Sequence, residues 1–317
     1  MRDTQGGVPD KTRVLLDTDA NNEIDDQHAI AYLLLSGDAF VVEGITVNRT
    51  DNGGDIEAQA EEAERVVKLC NQHPQLSVTR GASSSFECIE PHLMVADFDG
   101  ADAVNLIIER ARVSAADKLV VLAIGKLTNV ALALKKDPSI ADRIKVVWLG
   151  SNYPDVGEYN LLADQGSVNF VLDTEVEFEI AVVRYGAASG TSAVRLSLDD
   201  VVKNLAGQGP FAKISVGGRN GGSFRYFGDY SLNLFEHIDL YGEPPSRALY
   251  DMAAVAILKN SAWAEAREIA APTLLNGAWT GRPQNPRTVV IRENFNKHHI
   301  IADFYATIRE YRMADIV

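Results

Sequence analysis

Four aspartates lie within ten residues near the start of the chain, in the stretch RVLLDTDANNEIDDQHAIAYLLL from Arg13 to Leu35. The first pair, Asp17 and Asp19, directly follows a short apolar run that is typical of a buried strand. The second pair, Asp25 and Asp26, opens a pattern of apolar residues spaced as on one face of a helix. Carboxylates at this density repel one another unless a cation lies among them. Hard oxygen ligands of this kind suit calcium or magnesium.

The spacing indicates a strand that ends in an acidic turn, from which a helix leaves. In open α/β sheets, ligands bind in the crevice at the carboxyl ends of the strands. An EF-hand calcium loop is excluded, because the positions that require Gly and Glu hold Asn22 and His28. Helix capping accounts for one or two of the acids but not for the pair at the strand end. The stretch therefore predicts a metal site at a sheet edge.

Strand and helix patterns alternate along the rest of the chain, which predicts an α/β fold with a doubly wound, mostly parallel sheet and helices on both faces. We expect one domain over residues 1–317, with residues 1–11 as a flexible tail. A Gly-rich stretch at 217–222 predicts a mobile loop, and 83–99 an irregular connection. Beyond the first strand, the patterns predict strands at 40–47, 77–82, 118–124, 144–150, 177–185 and 288–292. They predict further helices at 55–71, 101–111, 130–136, 224–240, 245–259 and 298–311.

Composition bounds the function. A net charge of −14 argues against sequence-independent binding to nucleic acid, which relies on Lys and Arg. Two cysteines, Cys70 and Cys88, show no metal-ligand spacing and no disulfide framework. No apolar run approaches the ~20 residues of a membrane span, and no targeting peptide is visible. We therefore expect a cytoplasmic protein with no membrane partner, and a secreted location stays open.

The acidic stretch resembles the signature of the inosine–uridine-preferring nucleoside hydrolase family, an Asp-x-Asp, a short turn and an Asp-Asp that opens a helix. The turn is about two residues longer here than in the usual form of the family. Three later segments also resemble family motifs. These are the GKLTN turn at 125–129, where Lys126 replaces a proline, the Glu-Tyr-Asn of 158–160, and Asp251 ahead of an apolar helix.

The resemblance implies calcium-dependent hydrolysis of the N-glycosidic bond of a ribonucleoside or related riboside. It implies a metal shell of Asp19, Asp26, the Thr128 carbonyl and Asp251, with Asp19 also the general base. It assigns substrate contacts to Asp25, Asn52, Glu158, Asn160 and Tyr250, and a supporting role to Asp17. Tyr250 stands where the family often has His or Trp to assist departure of the base.

Two other functions stay open on the sequence. The same ligands would serve a calcium-dependent ribose- or nucleoside-binding protein without turnover. A strand-end Asp-x-Asp is also typical of magnesium-dependent aspartyl phosphohydrolases, although Asn21 and Asn22 depart from the small turn that usually follows. The resemblance further implies a homodimer or homotetramer.

Overall fold

The computed structural model describes residues 11–317, so the predicted tail lies outside the described residues except for Lys11, which pairs with Asp315. The strands are β1 (Thr12–Thr18), β2 (Phe40–Val47), β3 (Val78–Arg80), β4 (Leu119–Ala123), β5 (Ile144–Leu149), β6 (Glu177–Ala181), β7 (Arg195–Ser197), β8 (Val216–Gly217), β9 (Ser223–Phe224), β10 (Ser246–Ala248), β11 (Glu265–Ala270), β12 (Thr273–Leu275), β13 (Ala278–Thr280), β14 (Thr288–Glu293) and β15 (Asp315–Ile316). The helices are α1 (Asp25–Leu34), α2 (Ile56–Leu69), α3 (Phe86–Ile89), α4 (Ala101–Arg112), α5 (Thr128–Lys136), α6 (Tyr159–Ala163), α7 (Gln165–Leu172), α8 (Leu198–Asn204), α9 (Phe227–Glu236), α10 (Tyr250–Lys259) and α11 (Lys297–Arg309). None of these helices is both long enough and apolar enough to cross a membrane.

Nine strands form the main sheet, in the order β11-β14-β6-β5-β4-β1-β2-β15, with β3 also pairing with β2. Every pairing is parallel except that of β11 with β14. From β1 the chain moves outward through β2 to β3, and from β4 it moves the other way through β5 and β6. The strand order therefore reverses between β1 and β4, where an open α/β sheet forms its ligand crevice.

Two apolar cores cover the two faces of the sheet, as strands buried on both sides require. On β1, Val14 and Leu16 belong to the core with α1, α2, α9, α10 and α11, while Leu15 belongs to the core with α4, α5 and α7. Successive side chains on a strand point to opposite faces, so one apolar run serves both cores. This arrangement confirms the α/β sheet expected from the sequence.

The Gly-rich segment forms the tip of a short hairpin between β8 and β9, where the Gly218 amide donates to the Gly222 carbonyl (3.2 Å). Three other local predictions were wrong. The helix expected at 245–259 begins only at Tyr250, because the first residues form β10 against β7. The irregular connection contains the short helix α3. The strand expected at 177–185 ends at Ala181.

Candidate active site

A cavity of about 150 Å³ lies at the reversal point of the sheet, beside the carboxyl ends of β1 and β4. Six carboxylates line it, together with amides, tyrosines and a few aliphatic side chains. No Lys, Arg or His is among the described residues that line it. The lining residues are Asp19, Asn22, Glu23, Asp25, Asp26, Asn52, Ile124, Leu149, Glu158, Tyr159, Asn160, Val183, Tyr185, Tyr250 and Asp251.

Three carboxylates converge at the floor of this cavity. Asp25, Asp26 and Asp251 each offer an oxygen within 4.8 Å of the others, and all three are buried. Asp25 and Asp26 open α1, while Asp251 is the second residue of α10, and these two helices pack against each other. Asp19 lines the same cavity but lies outside the group of three. The structure thus joins acids that are separated by more than two hundred residues in sequence.

Burial and mutual repulsion govern the protonation of these acids. Burial is the main reason that the pKa of Asp19 and that of Asp25 each rise to about 7, from an ordinary value of 3.8. Burial, followed by repulsion from neighbouring aspartates, raises the pKa of Asp26 and of Asp251 well above that value. Backbone amides of Asp25 and Asp251 donate to the Asp25 carboxylate, and the Asp25 and Asp251 carboxyl groups are hydrogen-bonded to each other, but no cationic side chain of residues 11–317 pairs with either. Such a site is stabilised when a cation enters it.

Asp17 differs from these acids because its carboxylate is fully paired. It accepts hydrogen bonds from Thr46 Oγ1 (2.6 Å), Asn129 Nδ2 (2.7 Å) and Asn48 Nδ2 (3.0 Å). Burial nevertheless raises the pKa of Asp17 to about 6. The Asn129 side chain also donates to the Val47 carbonyl and accepts from the Ala82 amide. Asp17 does not line the cavity, and its contacts tie the ends of β1 and β2 to the start of α5.

Thr128 lies away from the cavity. It is the first residue of α5, and its hydroxyl donates to Asp164 Oδ2 (2.5 Å) rather than capping the helix. The carbonyl of a residue in the first helical turn accepts from the amide four residues on, so it is directed along the helix. Ile124, which directly follows β4 and precedes Thr128 by four residues, lines the cavity, and its carbonyl accepts from Asn160 Nδ2 (3.1 Å).

Glu158 and Asn160 line the wall of the cavity opposite α1. Backbone amides of Ser151, Asn160 and Leu161 donate to the Glu158 carboxylate at 2.8–3.0 Å. The Asn160 amide donates to the carbonyls of Ile124 and Leu149, which leaves its Oδ1 without a donor among the described residues. These contacts hold both side chains in fixed orientations at the ends of β4 and β5.

The enlarged turn between the two pairs of aspartates contributes to the cavity. Asn22 and Glu23 both line it, and Asn22 Nδ2 donates to Asp19 Oδ2 (3.2 Å). Arg247 clamps Glu23 through two nitrogens, with Nε 3.1 Å from Oε2. Asn21 braces the turn from the other side by donating to the Gly53 carbonyl (2.9 Å). The turn is therefore a fixed wall of the cavity.

Three tyrosines surround the opening. Tyr250 opens α10, and its ring meets that of Tyr185 edge to face, with centroids 5.9 Å apart and planes at 84°. The Tyr159 hydroxyl accepts from the backbone amide of Asn52 (2.8 Å), an exposed residue. Burial raises the pKa of Tyr250 to about 12. Tyr159 lies between Glu158 and Asn160 in a segment that the sequence singled out, but no role was assigned to it, and no sequence pattern singled out Tyr185.

The donor set fits a hard divalent ion. Carboxylate oxygens from two helices, with the further carboxylate of Asp19 just after β1, are the kind of ligand that calcium takes. The fold and the site together define an α/β protein whose cavity lies where the strand order of the sheet reverses and is lined by carboxylates suited to a metal ion.

The chain belongs to the inosine-uridine preferring nucleoside hydrolase family, whose model matches residues 14–309. A probable uridine nucleosidase 1 from Oryza sativa subsp. japonica is 30% identical over 144 residues, 37% of this chain and 44% of that protein. The inosine-uridine preferring nucleoside hydrolase of Leishmania major is 25% identical over 218 residues, 63% of each chain. These alignments thus span less than two thirds of either curated relative.

The fold is similar to that of a purine-preferring ribonucleoside hydrolase from Gardnerella vaginalis. That similarity has a TM-score of 0.70 at 19% identity, and it covers 94% of this chain and 98% of the other.

Proposed function

We propose that this protein hydrolyses the N-glycosidic bond of ribonucleosides or related ribosides, with a calcium ion held at the floor of its cavity. The observation that carries this proposal is the convergence of Asp25, Asp26 and Asp251 within 4.8 Å, in a cavity that Asp19 also lines. Family membership supports the same reaction. When bound, calcium lowers the pKa of a water molecule and orients it with the sugar hydroxyls.

Asp19, Asp26 and Asp251 would hold the ion, with the Ile124 carbonyl in the backbone role that the family resemblance assigns to Thr128. Asp19 would also act as general base. Its Oδ2 is held by Thr50 (2.5 Å) and Asn22 (3.2 Å), so its Oδ1 remains available to take a proton from water.

The sugar would lie between the acids and the opposite wall. Asp25 accepts from a ribose hydroxyl beside the ion, and Asn160 Oδ1 and Glu158 accept from hydroxyls on the far side. The same carboxylates stabilise the positive charge that develops on the sugar as the glycosidic bond breaks. Asn52 and Tyr250 line the opening, where the leaving base would be. Asp17 supports Asp19 through the β1 backbone.

Release of reducing sugar from a panel of purine and pyrimidine ribonucleosides, with calcium or with a chelator, tests this proposal. We expect calcium-dependent release that Asp19→Asn reduces by at least about a hundredfold, the usual contribution of a general base. Asp97→Asn is the matched control, because Asp97 is exposed and lies outside the cavity.

Tight calcium binding with no sugar release from any riboside would contradict hydrolysis and favour a binding protein. Magnesium-dependent release of phosphate from phosphate esters would instead favour the aspartyl phosphohydrolase. A loss of sugar release in Asp97→Asn equal to that in Asp19→Asn would refute the assignment of the base.

A further inference from the structure

The enlarged turn brings into the cavity a carboxylate that has no role in the proposed reaction. Glu23 lies two residues before Asp25, and both residues line the cavity. After burial, the charge of Glu23 is the largest cause of the raised pKa of Asp25, because the two carboxylates are neighbours in space. Glu23 nevertheless lies outside the group formed by Asp25, Asp26 and Asp251. A free carboxylate at this place would be a ready ligand for a hard cation.

Arg247 holds the Glu23 carboxylate by both of its oxygens. The Arg247 Nε donates to Oε2 (3.1 Å), and its Nη2 donates to Oε1. Arg247 is itself fixed, because its Nη1 donates to the Asp239 carbonyl (3.2 Å) and its guanidinium lies over the Tyr241 ring, 5.5 Å from the centroid. Both side chains of the ion pair are partly shielded from water. A two-point contact of this kind fixes the direction of a carboxylate as well as compensating its charge.

The strand that carries Arg247 is also braced. Arg247 is the middle residue of β10, which pairs with β7 and ends two residues before α10 begins at Tyr250. Arg195 of β7 donates from Nε to Ser246 Oγ (3.0 Å) and from Nη2 to the Ser246 carbonyl (2.7 Å). The ion pair of Arg247 with Glu23 therefore joins the turn before α1 to the strand before α10. These are the two helices that bring the carboxylates together.

The other cations near the site have different partners. Lys126 follows β4, and its Nζ donates to the Ser84 carbonyl (2.7 Å), while its charge acts on Asp17 and Asp19. Arg195 is committed to the backbone and side chain of β10. Within residues 11–317, Arg247 is the cation that pairs with Glu23. Loss of Arg247 would leave Glu23 beside the acids without a cationic partner.

We propose that Arg247 is a positioning residue that withholds Glu23 from the bound ion and so keeps the coordination of the ion open to the sugar hydroxyls. This inference rests on the proposed function, since it assumes that Asp19, Asp26 and Asp251 hold a cation beside the sugar. Without the ion pair, the Glu23 carboxylate turns towards the ion and takes a place that a ribose hydroxyl would occupy. Glu23 then competes with the substrate from within the protein.

Calcium titration of the purified protein and of three variants, Arg247→Met, Glu23→Gln and the double variant, tests the first part of this proposal. Arg247→Met should tighten calcium binding, whereas a general loosening of the cavity would weaken it. Glu23→Gln should weaken binding at least about tenfold more in the Arg247→Met background than in wild type, because the carboxylate contacts the ion only when Arg247 is gone. Charges that act only from a distance would give the same change in both backgrounds.

Kinetics with inosine and uridine test the competition with the sugar. Arg247→Met should raise KM about tenfold with kcat nearly unchanged, because saturating substrate displaces Glu23 from the ion. Adding Glu23→Gln should restore KM. Arg247→Lys, which keeps the charge but not the two-point contact, should show a smaller rise in KM. Arg282→Met is the matched control, because Arg282 pairs with Asp173 outside the cavity.

Equal effects of Glu23→Gln on calcium binding in the two backgrounds would overturn this inference and leave the proposed hydrolysis intact. A fall in kcat of Arg247→Met that Glu23→Gln does not restore would also overturn it, since the ion pair would then serve only the fold. If Arg247→Met does not fold, Arg247→Lys carries the same comparison. Wild-type protein that neither binds calcium nor releases sugar would refute the proposed function itself.

Discussion

Replacement of Asp251 by asparagine should stabilise the protein in a chelator and destabilise it, relative to wild type, in calcium. Asp251 is buried and brings a third carboxylate to within 4.8 Å of Asp25 and Asp26. The substitution keeps the size of the side chain and removes its charge. Without a metal ion this relieves repulsion, whereas with calcium it removes a ligand.

The magnitude follows from the raised pKa values. A rise in the pKa of Asp25 from 3.8 to about 7 corresponds to roughly 4 kcal/mol of lost stability at pH 8, where the group must ionise in the folded protein. Burial causes most of this cost, and neighbouring charges cause the remainder. Removing the charge of Asp251 relieves its repulsion of Asp25 and also removes the cost of burying the Asp251 charge itself. We therefore expect the free energy of unfolding in chelator to rise by about 2–4 kcal/mol. For a chain of this size about 2 °C in Tm accompanies each kcal/mol.

Calcium should reverse the order of the two proteins. At about a thousand times its Kd, a ligand adds about 4.1 kcal/mol to the stability of a protein that binds it only when folded, which exceeds the gain expected from the substitution. Wild type should gain this amount, and Asp251→Asn little of it. Thermal unfolding at pH 8 in chelator and in calcium measures both effects, with Asp97→Asn as the control. A variant that melts below wild type in chelator, or that gains as much from calcium, would refute the reasoning.

Three further predictions concern the same site. In chelator, the unfolding free energy should rise as the pH falls from 8 to 5. The pKa of Asp19 is about 7 in the folded protein and 3.8 in the unfolded chain, so over this range the folded protein binds protons that the unfolded chain does not. Denaturant titrations across this pH range measure the rise, and calcium should abolish it. Asn129→Ala should cost roughly 3 kcal/mol in urea unfolding, because it leaves Asp17 and two backbone groups with unmet hydrogen bonds; a loss below about 1 kcal/mol would contradict this. Gly125→Ala should weaken calcium binding in a titration, because its Cβ would lie 3.0 Å from Asp19 Oδ1, whereas Gly281→Ala, with open space around it, should leave binding unchanged.

Local patterns sufficed for the first motif because strand, acids and helix follow one another within a short stretch. Alternation of strands and helices predicted the parallel sheet, and the strand at Phe40–Val47 was placed to the residue. Because the strands are parallel, their carboxyl ends lie on the same side of the sheet. The acids after β1 were therefore expected beside the motifs after β4 and β5. Asp251 was found from its charge within an apolar helix, which burial makes costly without a partner.

Other features depend on contacts that no local pattern reports. Asn129 reaches Asp17 across 112 positions, and neither side chain alone indicates the other. Tyr185 depends on the left-handed backbone at Arg184, which residue type does not predict. The strand β10 was read as helix because its three residues precede a helical pattern and its partner, β7, lies some fifty residues away. Thr128 does not line the cavity, and a carbonyl ligand carries no side-chain signature by which a sequence could locate it.

Hydrogen-bond donors distinguish the structural acids of this protein from those available for chemistry. Glu62 is as buried as Asp251, but the side chains of Gln27, Tyr230 and Arg65 donate to it. Its negative charge is therefore stabilised by groups of the protein itself. Asp17 is likewise surrounded by donors. Among the described residues the side-chain partner of Asp251 is another carboxyl group, that of Asp25, and Asp251 is held in place by the packing of α1 on α10. Burying these carboxylates close together lowers the stability of the folded protein, and a bound cation offsets that loss. We infer that the same negative charge favours both the metal ion and the positive charge that forms on the sugar.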